Sequence, residues 1–350
     1  MINPPPSPRR ILLLKPCCLG DVVLTTPLLA ALRRAYPDAH LTWGISTYSA
    51  PVIHNHPMVD TVLLTGPQAN PARTPMGLWR LARQLRAGRF DMAVAPVRSP
   101  LIGLAVRLAG VPIRAGLDSA GRGRFFYNVR APVNPTEARH EAEIYLDTAR
   151  ALGLDVSGCW ANVPVSDDQI KALPASIKPG VVVVHVGGGK NPGMTMVEKR
   201  PPIPLLANVA ARAAAHLHAR VAILGGHDDR ERADALHEAL YGADPLSLIN
   251  VLDFSEVAAL GAIAGLAIGP DTGLMHLMAA AGAPTVMIFG PSDPRRYAPF
   301  VPPGRAAAPW QPYPLPPGGV VSGPPKGWSW EEHGVTAQEV WDAAKKLLPA

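Results

Sequence analysis

The stretch Ile268-Gly-Pro-Asp-Thr-Gly-Leu-Met-His276, followed by Phe289-Gly-Pro-Ser-Asp-Pro294, decides how this chain is read. Leu266, Ala267 and Ile268 make an apolar run short enough for a buried strand. Gly269-Pro270-Asp271-Thr272-Gly273 is a turn, and 274–281 has the character of a helix. Gly282-Ala283-Pro284 stops that helix, and 285–289 is the next strand. A strand entering a helix through such a turn leaves backbone N–H groups unpaired at the helix start. Those groups and the positive end of the helix dipole can receive an anion such as a phosphate. Asp271 and Thr272 are also N-cap residue types, so on this turn alone cap and ligand both stand. Asp271 and His276 are five positions apart and do not share a helical face. Serving one ligand, Asp271 would act from the turn and His276 from the first turns of the helix.

The same alternation runs outward from this stretch. Residues 11–14 are wholly apolar, as in a parallel sheet covered on both faces. Gly20-Asp21 opens a helix read as far as about Tyr36, with Leu24, Leu28, Leu29 and Leu32 on one side. Strands are predicted at 41–46, 62–65 and 92–95, with helical segments near 47–54, 77–87 and 99–109 and a longer helix over 137–152. After the polar, Pro-containing linker 165–180, a second series follows. It has strands at 181–186, 221–224 and 248–250 and helices near 204–218, 230–241 and 255–264. The expectation is an α/β protein with two doubly wound domains facing across a cleft, residues 11–170 and 171–325, after a disordered tail 1–10. Residues 301–328 hold nine prolines and five glycines and are not expected to form a packed element. An amphipathic helix at 336–348 closes a C-terminal segment 326–350.

Composition agrees with two cores. A chain of 350 residues exceeds one ordinary domain, and 48% hydrophobic against 17% charged residues describes a globular protein. Charge is unevenly spread: residues 1–175 carry 19 Lys+Arg against 12 Asp+Glu, and residues 176–350 carry 14 against 15. Within 73–130 there are 11 Arg, no Lys, and only Asp91 and Asp118 in opposition. Arginine suits forked contacts to phosphate or carboxylate, so this half fits a polyanion; a solvated basic face is the plainer alternative. Three cysteines, with Cys17 and Cys18 adjacent, make neither a disulfide framework nor a zinc ligand set and fit a reducing cytoplasm. No secretory signal is expected from a proline-rich start and a four-residue apolar run. The uncharged window 272–292 is broken by Gly282 and Pro284, which favours helix and strand over a membrane span.

Several side chains could carry chemistry. Asp21 follows a strand and the loop Cys17-Cys18-Leu19-Gly20; at a helix start it is a cap or a catalytic carboxylate. His185-Val-Gly-Gly-Gly-Lys190 follows a strand, and its glycines, Gly187 and Gly188 among them, let backbone approach a phosphate or simply make a tight turn. Asp229, in Gly225-Gly-His-Asp-Asp-Arg230, could accept from vicinal hydroxyls or act as a helix-start acid. No His, Cys or Asp cluster has metal-ligand spacing, so metal-independent chemistry is expected, with cations and helix starts meeting a leaving anion. The first strand lacks Gly-x-Gly-x-x-Gly after it, which ranks a nicotinamide oxidoreductase low.

Gly269 to His276, then Phe289 to Pro294, together with Gly20-Asp21 in Lys15-Pro-Cys-Cys-Leu-Gly-Asp-Val-Val-Leu-Thr-Thr-Pro27, closely resemble the signatures of glycosyltransferase family 9. This family comprises the heptosyltransferases of lipopolysaccharide core assembly, and the resemblance covers roughly residues 10–300. It implies a GT-B fold whose terminal helix packs back towards the N-terminal domain, and inverting transfer with no cofactor. Asp21 would be the general base. Glu198-Lys-Arg-Pro201 resembles the family's Lys-Arg-Trp-Pro element, which gives Lys199 the donor diphosphate, with Arg200 or Lys190 as helpers. Asp229 would hold the donor ribose, and Asp271, Thr272, Gly273 and His276 the rest of the donor. Pro201 stands where Trp is usual and Val186 where Pro is frequent; glycines replace loop hydroxyls, with Thr195 the nearest substitute. The implied donor is an ADP-heptose or related nucleotide sugar. The implied acceptor is an anionic lipid A–Kdo or inner-core saccharide, met by Arg98, Arg122 and Arg124. The setting would be cytoplasmic, peripheral at the inner membrane, with no nucleic acid partner. A degenerate nucleotide-binding relative acting as a scaffold is the alternative.

Overall fold

The structure is a computed structural model that describes residues 8–119, 121–188, 190–191, 194–319, 323 and 325–349, with backbone alone at 190, 191, 194 and 195. Most of the expected tail, and the side chains of Lys190 and Thr195, lie outside the described residues. Two compact units meet in sequence at Ala161 and Asn162.

The first unit runs β1 (Arg10–Leu14), α1 (Leu19–Val23), α2 (Thr26–Ala35), β2 (His40–Ile45), β3 (Thr61–Leu64), α3 (Pro75–Ala87), β4 (Met92–Ala95), α4 (Pro100–Leu108), β5 (Ile113–Ser119), β6 (Val129–Val133) and α5 (Glu141–Ala151). Its six strands are parallel in the order β3-β2-β1-β4-β5-β6. Leu12, Leu14, Ala93 and Ala95 pack against Leu81 and Leu85 of α3 and Ile102 and Val106 of α4.

Three expectations change here. The helix read from Gly20 to Tyr36 is broken between α1 and α2, because Pro27 has no N–H to continue the ladder. The Thr25 and Thr26 hydroxyls instead close the break on the carbonyls of Asp21 and Val23, both at 2.7 Å. The segment near 47–54 makes only a short 3₁₀ turn, Ala50–Val52. Strands β5 and β6 were not anticipated: β5 carries Arg114 and Asp118, and β6 contains Pro132, which an edge strand tolerates.

The second unit runs α6 (Asp167–Lys171), β7 (Val182–His185), the two-residue strands β8 (Lys190–Asn191) and β9 (Met194–Thr195), α7 (Ile203–Leu217), β10 (Val221–Gly225), α8 (Arg230–Ala239), β11 (Leu246–Ile249), α9 (Phe254–Ile263), β12 (Leu266–Pro270), α10 (Gly273–Ala281), β13 (Thr285–Ile288), α11 (Pro294–Tyr297), β14 (Ala306–Ala307), α12 (Trp330–His333) and α13 (Ala337–Lys345). Its parallel sheet is ordered β11-β10-β7-β12-β13-β14, the same sequence of steps as in the first unit. Val182, Val184, Ile223 and Ile268 make its centre.

The unit boundary falls nine positions before the expected 170/171. Val163 N donates to Ala280 O, and α6 packs on α9, which ties the linker to the second unit. The proline-rich stretch is also more ordered than its composition suggests: β14 pairs with the edge of β13, and Phe289 N donates to Pro309 O. The terminal helix α13 packs on α7 and β13 of its own unit, where Val340 and Ala344 are buried. The apolar face of α7 is what α13 covers.

Candidate functional site

In a doubly wound sheet with this order, chain connections leave the central pair of strands in opposite directions. A crevice therefore opens at the carboxyl ends of those strands. In the first unit the pair is β1 and β4, and the chain leaving them carries Lys15, Asp21 and Arg98. Tyr145, on the buried side of α5, completes the group.

The geometry is close-knit. The Tyr145 hydroxyl donates to Asp21 Oδ1 at 2.5 Å, and the Cys18 amide donates to Oδ2 at 3.5 Å. Lys15 Nζ, itself buried, donates to the Tyr145 hydroxyl at 2.9 Å and to Pro96 O at 3.3 Å, and lies 3.8 Å from Asp21 Oδ1. Arg98 Nη2 donates to both oxygens of the buried Glu141, at 3.1 and 2.9 Å.

Burial acts to raise the pKa of Asp21. The Lys15 ammonium, the Tyr145 hydroxyl, the Cys18 amide and Arg98 outweigh it and hold the carboxyl below its ordinary range. Burial, joined by the charges of Asp21 and Glu141, pushes the Tyr145 phenol well above its ordinary value, so it stays a donor. The Asp21 side chain is 36% exposed. One carboxylate is therefore ionised, held through both oxygens, and partly exposed.

A cavity of about 210 Å³ lies in the same unit, lined by Arg98, Ser99, Ser119, Arg122, Phe126 and Tyr127 among others. Its loop is held by Asp118, whose Oδ1 accepts from Gly123 N at 2.7 Å. Among the described residues the buried Tyr127 hydroxyl has no hydrogen-bond partner. Arg98 and Arg122 thus share one cavity; Arg124 is not among its lining residues and stacks on the Phe125 ring at 4.8 Å.

In the second unit the central pair is β7 and β12, and the loops leaving them meet. A methyl at Gly188, whose φ is +112°, would lie 2.3 Å from Thr272 Cγ2. A methyl at Gly187 would lie 2.1 Å from Asp229 Oδ2. Both glycines are therefore required for close approach rather than merely for a turn. Thr272 is the N-cap of α10, accepting from Met275 N at 3.5 Å, and Gly273 is the first residue of that helix. With the cap supplied by Thr272, Asp271 is free for another partner: its Oδ2 meets Lys199 Nζ at 2.6 Å, both side chains buried. His276 Nε2 lies 4.0 Å from Asp271 Oδ1 despite their separation in sequence. Thr272, not Asp271, is therefore the cap of α10.

Asp229 is held by its own loop and by Arg200. Oδ2 accepts from Gly226 N at 2.9 Å, Oδ1 from Arg200 Nη2 at 3.2 Å, and Arg200 Nε donates to Gly188 O at 2.8 Å. Position 201 lacks the Trp of the family element, yet an indole reaches this loop: Trp330 Nε1 donates to Glu198 O at 2.8 Å. Chemically, the second unit offers a cation, a helix start and a glycine-lined backbone at one crevice, the requirements of an anionic group.

The residues of the chain and its fold agree with known proteins. Residues 78–307 match the profile of glycosyltransferase family 9 (heptosyltransferase). The chain belongs to glycosyltransferase family 9. It is accordingly a glycosyltransferase of the heptosyltransferase kind. It is 29% identical over 300 residues to lipopolysaccharide heptosyltransferase 1 of Pseudomonas aeruginosa, covering 81% of this chain and 79% of that one. It is 24% identical over 283 residues to lipopolysaccharide heptosyltransferase 3 of Escherichia coli, covering 78% and 81%. A solved family 9 glycosyltransferase from Veillonella parvula superposes with a TM-score of 0.76 at 22% identity, covering 97% of both chains. The E. coli ADP-heptose heptosyltransferase II does so with 0.74 at 21%, covering 97% of this chain and 98% of that one. These likenesses establish the GT-B fold. Among the described residues no helix is long and apolar enough to cross a membrane.

Sequence reasoning missed Tyr145, Glu141 and the role of Lys15. Lys15 had a signal, as the first charge after a wholly apolar strand. Tyr145 had none, because it reaches Asp21 from 124 residues away.

Proposed function

We propose that the protein transfers a heptose from an ADP-heptose to a hydroxyl of an anionic lipopolysaccharide inner-core or lipid A–Kdo acceptor, with inversion and without a metal. The observation that carries this reading is the ionised, oriented and partly exposed Asp21 carboxylate. The names of the relatives point to heptose and lipopolysaccharide, and one solved relative, E. coli heptosyltransferase WaaC, carries ADP.

In this reading the acceptor O–H is aligned by Asp21 Oδ2 and gives up its proton to it. The acceptor oxygen forms the new bond to the anomeric carbon while the bond from that carbon to the β-phosphate oxygen breaks, and ADP leaves with the electron pair. A low-pKa carboxylate is a weak base, so Asp21 contributes mostly by placing the hydroxyl and by its charge beside a developing oxocarbenium. The donor diphosphate is assigned to Lys199 and the amides around Thr272 and Gly273, with Gly187 and Gly188 giving it room. Asp271 and His276 are assigned to the sugar side and Asp229 to the ribose. The acceptor's anionic groups are assigned to Arg98 and Arg122, with Arg124 flanking. Lys199 already has Asp271 as a partner, so diphosphate binding must share or displace that ion pair. A lipid-anchored acceptor places the work at the cytoplasmic face of the inner membrane.

Titration calorimetry with ADP, ADP-heptose and UDP-sugars, in EDTA, tests the donor. Selective ADP binding that Lys199→Ala weakens supports it; preference for a UDP-sugar removes the heptose, and absence of nucleotide binding removes the transferase reading.

A further inference from the structure

Helix α3 has a surface that the proposed reaction does not use. Thr74 caps it by accepting from Gly77 N at 3.0 Å, Pro75 starts it, and Leu81, Ala82 and Leu85 fasten it to α4. The opposite stripe, Met76, Trp79, Arg80, Arg83 and Arg86, is exposed. Spacings of three and four place these side chains along one face. Met76 and Trp79 are 57% and 56% exposed, large apolar groups for a protein to leave in water. Arg83 lies over the Trp79 ring, 5.4 Å from its centroid. Arg73 and Arg89 flank the helix, and residues 61–90 contain no Asp or Glu.

A merely solvated basic face needs charge and no indole. A site for an acidic folded partner would be expected to pair at least some arginines with local acids that fix register. What α3 presents is a run of arginines unopposed in its own sequence neighbourhood with a Trp and a Met among them. Such a composition suits a headgroup layer, where guanidinium forks meet lipid phosphates and an amphipathic ring sits at the boundary with hydrocarbon. The end of α4 repeats the pairing: Leu108 and Phe125 are each 53% exposed, with Arg107 donating to Phe125 O and Arg124 over the Phe125 ring.

We propose that the exposed face of α3 docks the protein on an anionic bilayer surface, with Trp79 and Met76 entering the headgroup boundary and Arg80, Arg83 and Arg86 meeting lipid phosphates. The physiological purpose rests on the glycolipid acceptor proposed above; the docking itself does not.

Sedimentation with vesicles tests it. Wild-type protein is expected to pellet with vesicles of phosphatidylglycerol and phosphatidylethanolamine, to stay in solution with pure phosphatidylcholine, and to be released as salt rises. Each arginine near such a surface is worth about a fivefold change in partitioning, so Arg80→Gln/Arg83→Gln/Arg86→Gln together should weaken it on the order of 100-fold. Trp79→Ser should weaken it about tenfold. Unchanged thermal unfolding and unchanged ADP binding show that both variants are folded. The proposal is overturned if wild-type protein ignores anionic vesicles, if the triple variant pellets like wild type, or if duplex DNA binds as tightly through the same residues. The assay contains neither donor nor acceptor, so its failure is separate from failure of the transferase reading. Transfer to a deacylated, water-soluble acceptor should be equal in wild-type and triple-variant protein, while transfer to a vesicle-borne acceptor falls with the vesicle affinity.

Discussion

The two units share a strand order step for step, yet they put different chemistry at the same place. In the first, the crevice after β1 and β4 holds a partly open carboxylate braced by a lysine and a tyrosine. In the second, the crevice after β7 and β12 holds two close-packed glycines and a buried Lys–Asp pair beside a helix start. Topology thus decides where a site can be, because connections part at the central strands in both sheets. The few residues that leave each strand decide what the site does: a charge that must be aimed in one, a backbone that must be approached in the other.

Exchanging or removing those residues tests the contrast. Asp21→Asn should lower turnover by about 1,000-fold while ADP binding, measured by calorimetry, stays at the wild-type value. Equal turnover would remove the carboxylate from the reaction. Lys199→Ala should weaken ADP binding about 30-fold and also lower stability by about 3 kcal/mol, since Asp271 is left buried without its partner; denaturant unfolding reads the second effect. Gly188→Ala should weaken ADP binding roughly 20-fold through a strained backbone and contact with Thr272. A wild-type dissociation constant in that variant would mean that the loop is only a turn.

Tyr145→Phe is a subtler probe, with an expected loss of about tenfold in kcat/KM. The phenol's hydrogen bond favours the charged carboxylate, so removing it raises the Asp21 pKa, and activity should begin to fall at a higher pH on acidification than in wild type. An unmoved acid limb would show that Tyr145 only fills space. Arg122→Ala should be mildest, raising acceptor KM about fivefold and leaving ADP affinity alone.

Much of this was legible in the sequence because buried parallel strands are continuous apolar runs. β1, β4, β7 and β12 stand out for that reason, and the turns after β1, β7 and β12 carry the glycines and carboxylates of the two crevices. β5 and β6 were hidden by Arg114, Asp118 and Pro132, residues that the sheet's outer positions accept and a central strand would not. The division of labour at Asp271 and Thr272 was equally out of reach. Both can cap a helix, and only the arrival of Lys199 from 72 residues away separates them. Pair partners distant in sequence leave no local pattern, which is why Tyr145 and Glu141 went unnoticed.

The docking of α13 onto α7 has a practical side. A stop codon placed after Gly334 would remove Val335, Val340 and Ala344 from the second unit's centre and strip the cover from α7. The fragment would retain every residue assigned here to donor and acceptor, yet its newly wetted apolar stripe would drive it into inclusion bodies. Loss of activity in such a deletion would report on solubility, not on catalysis.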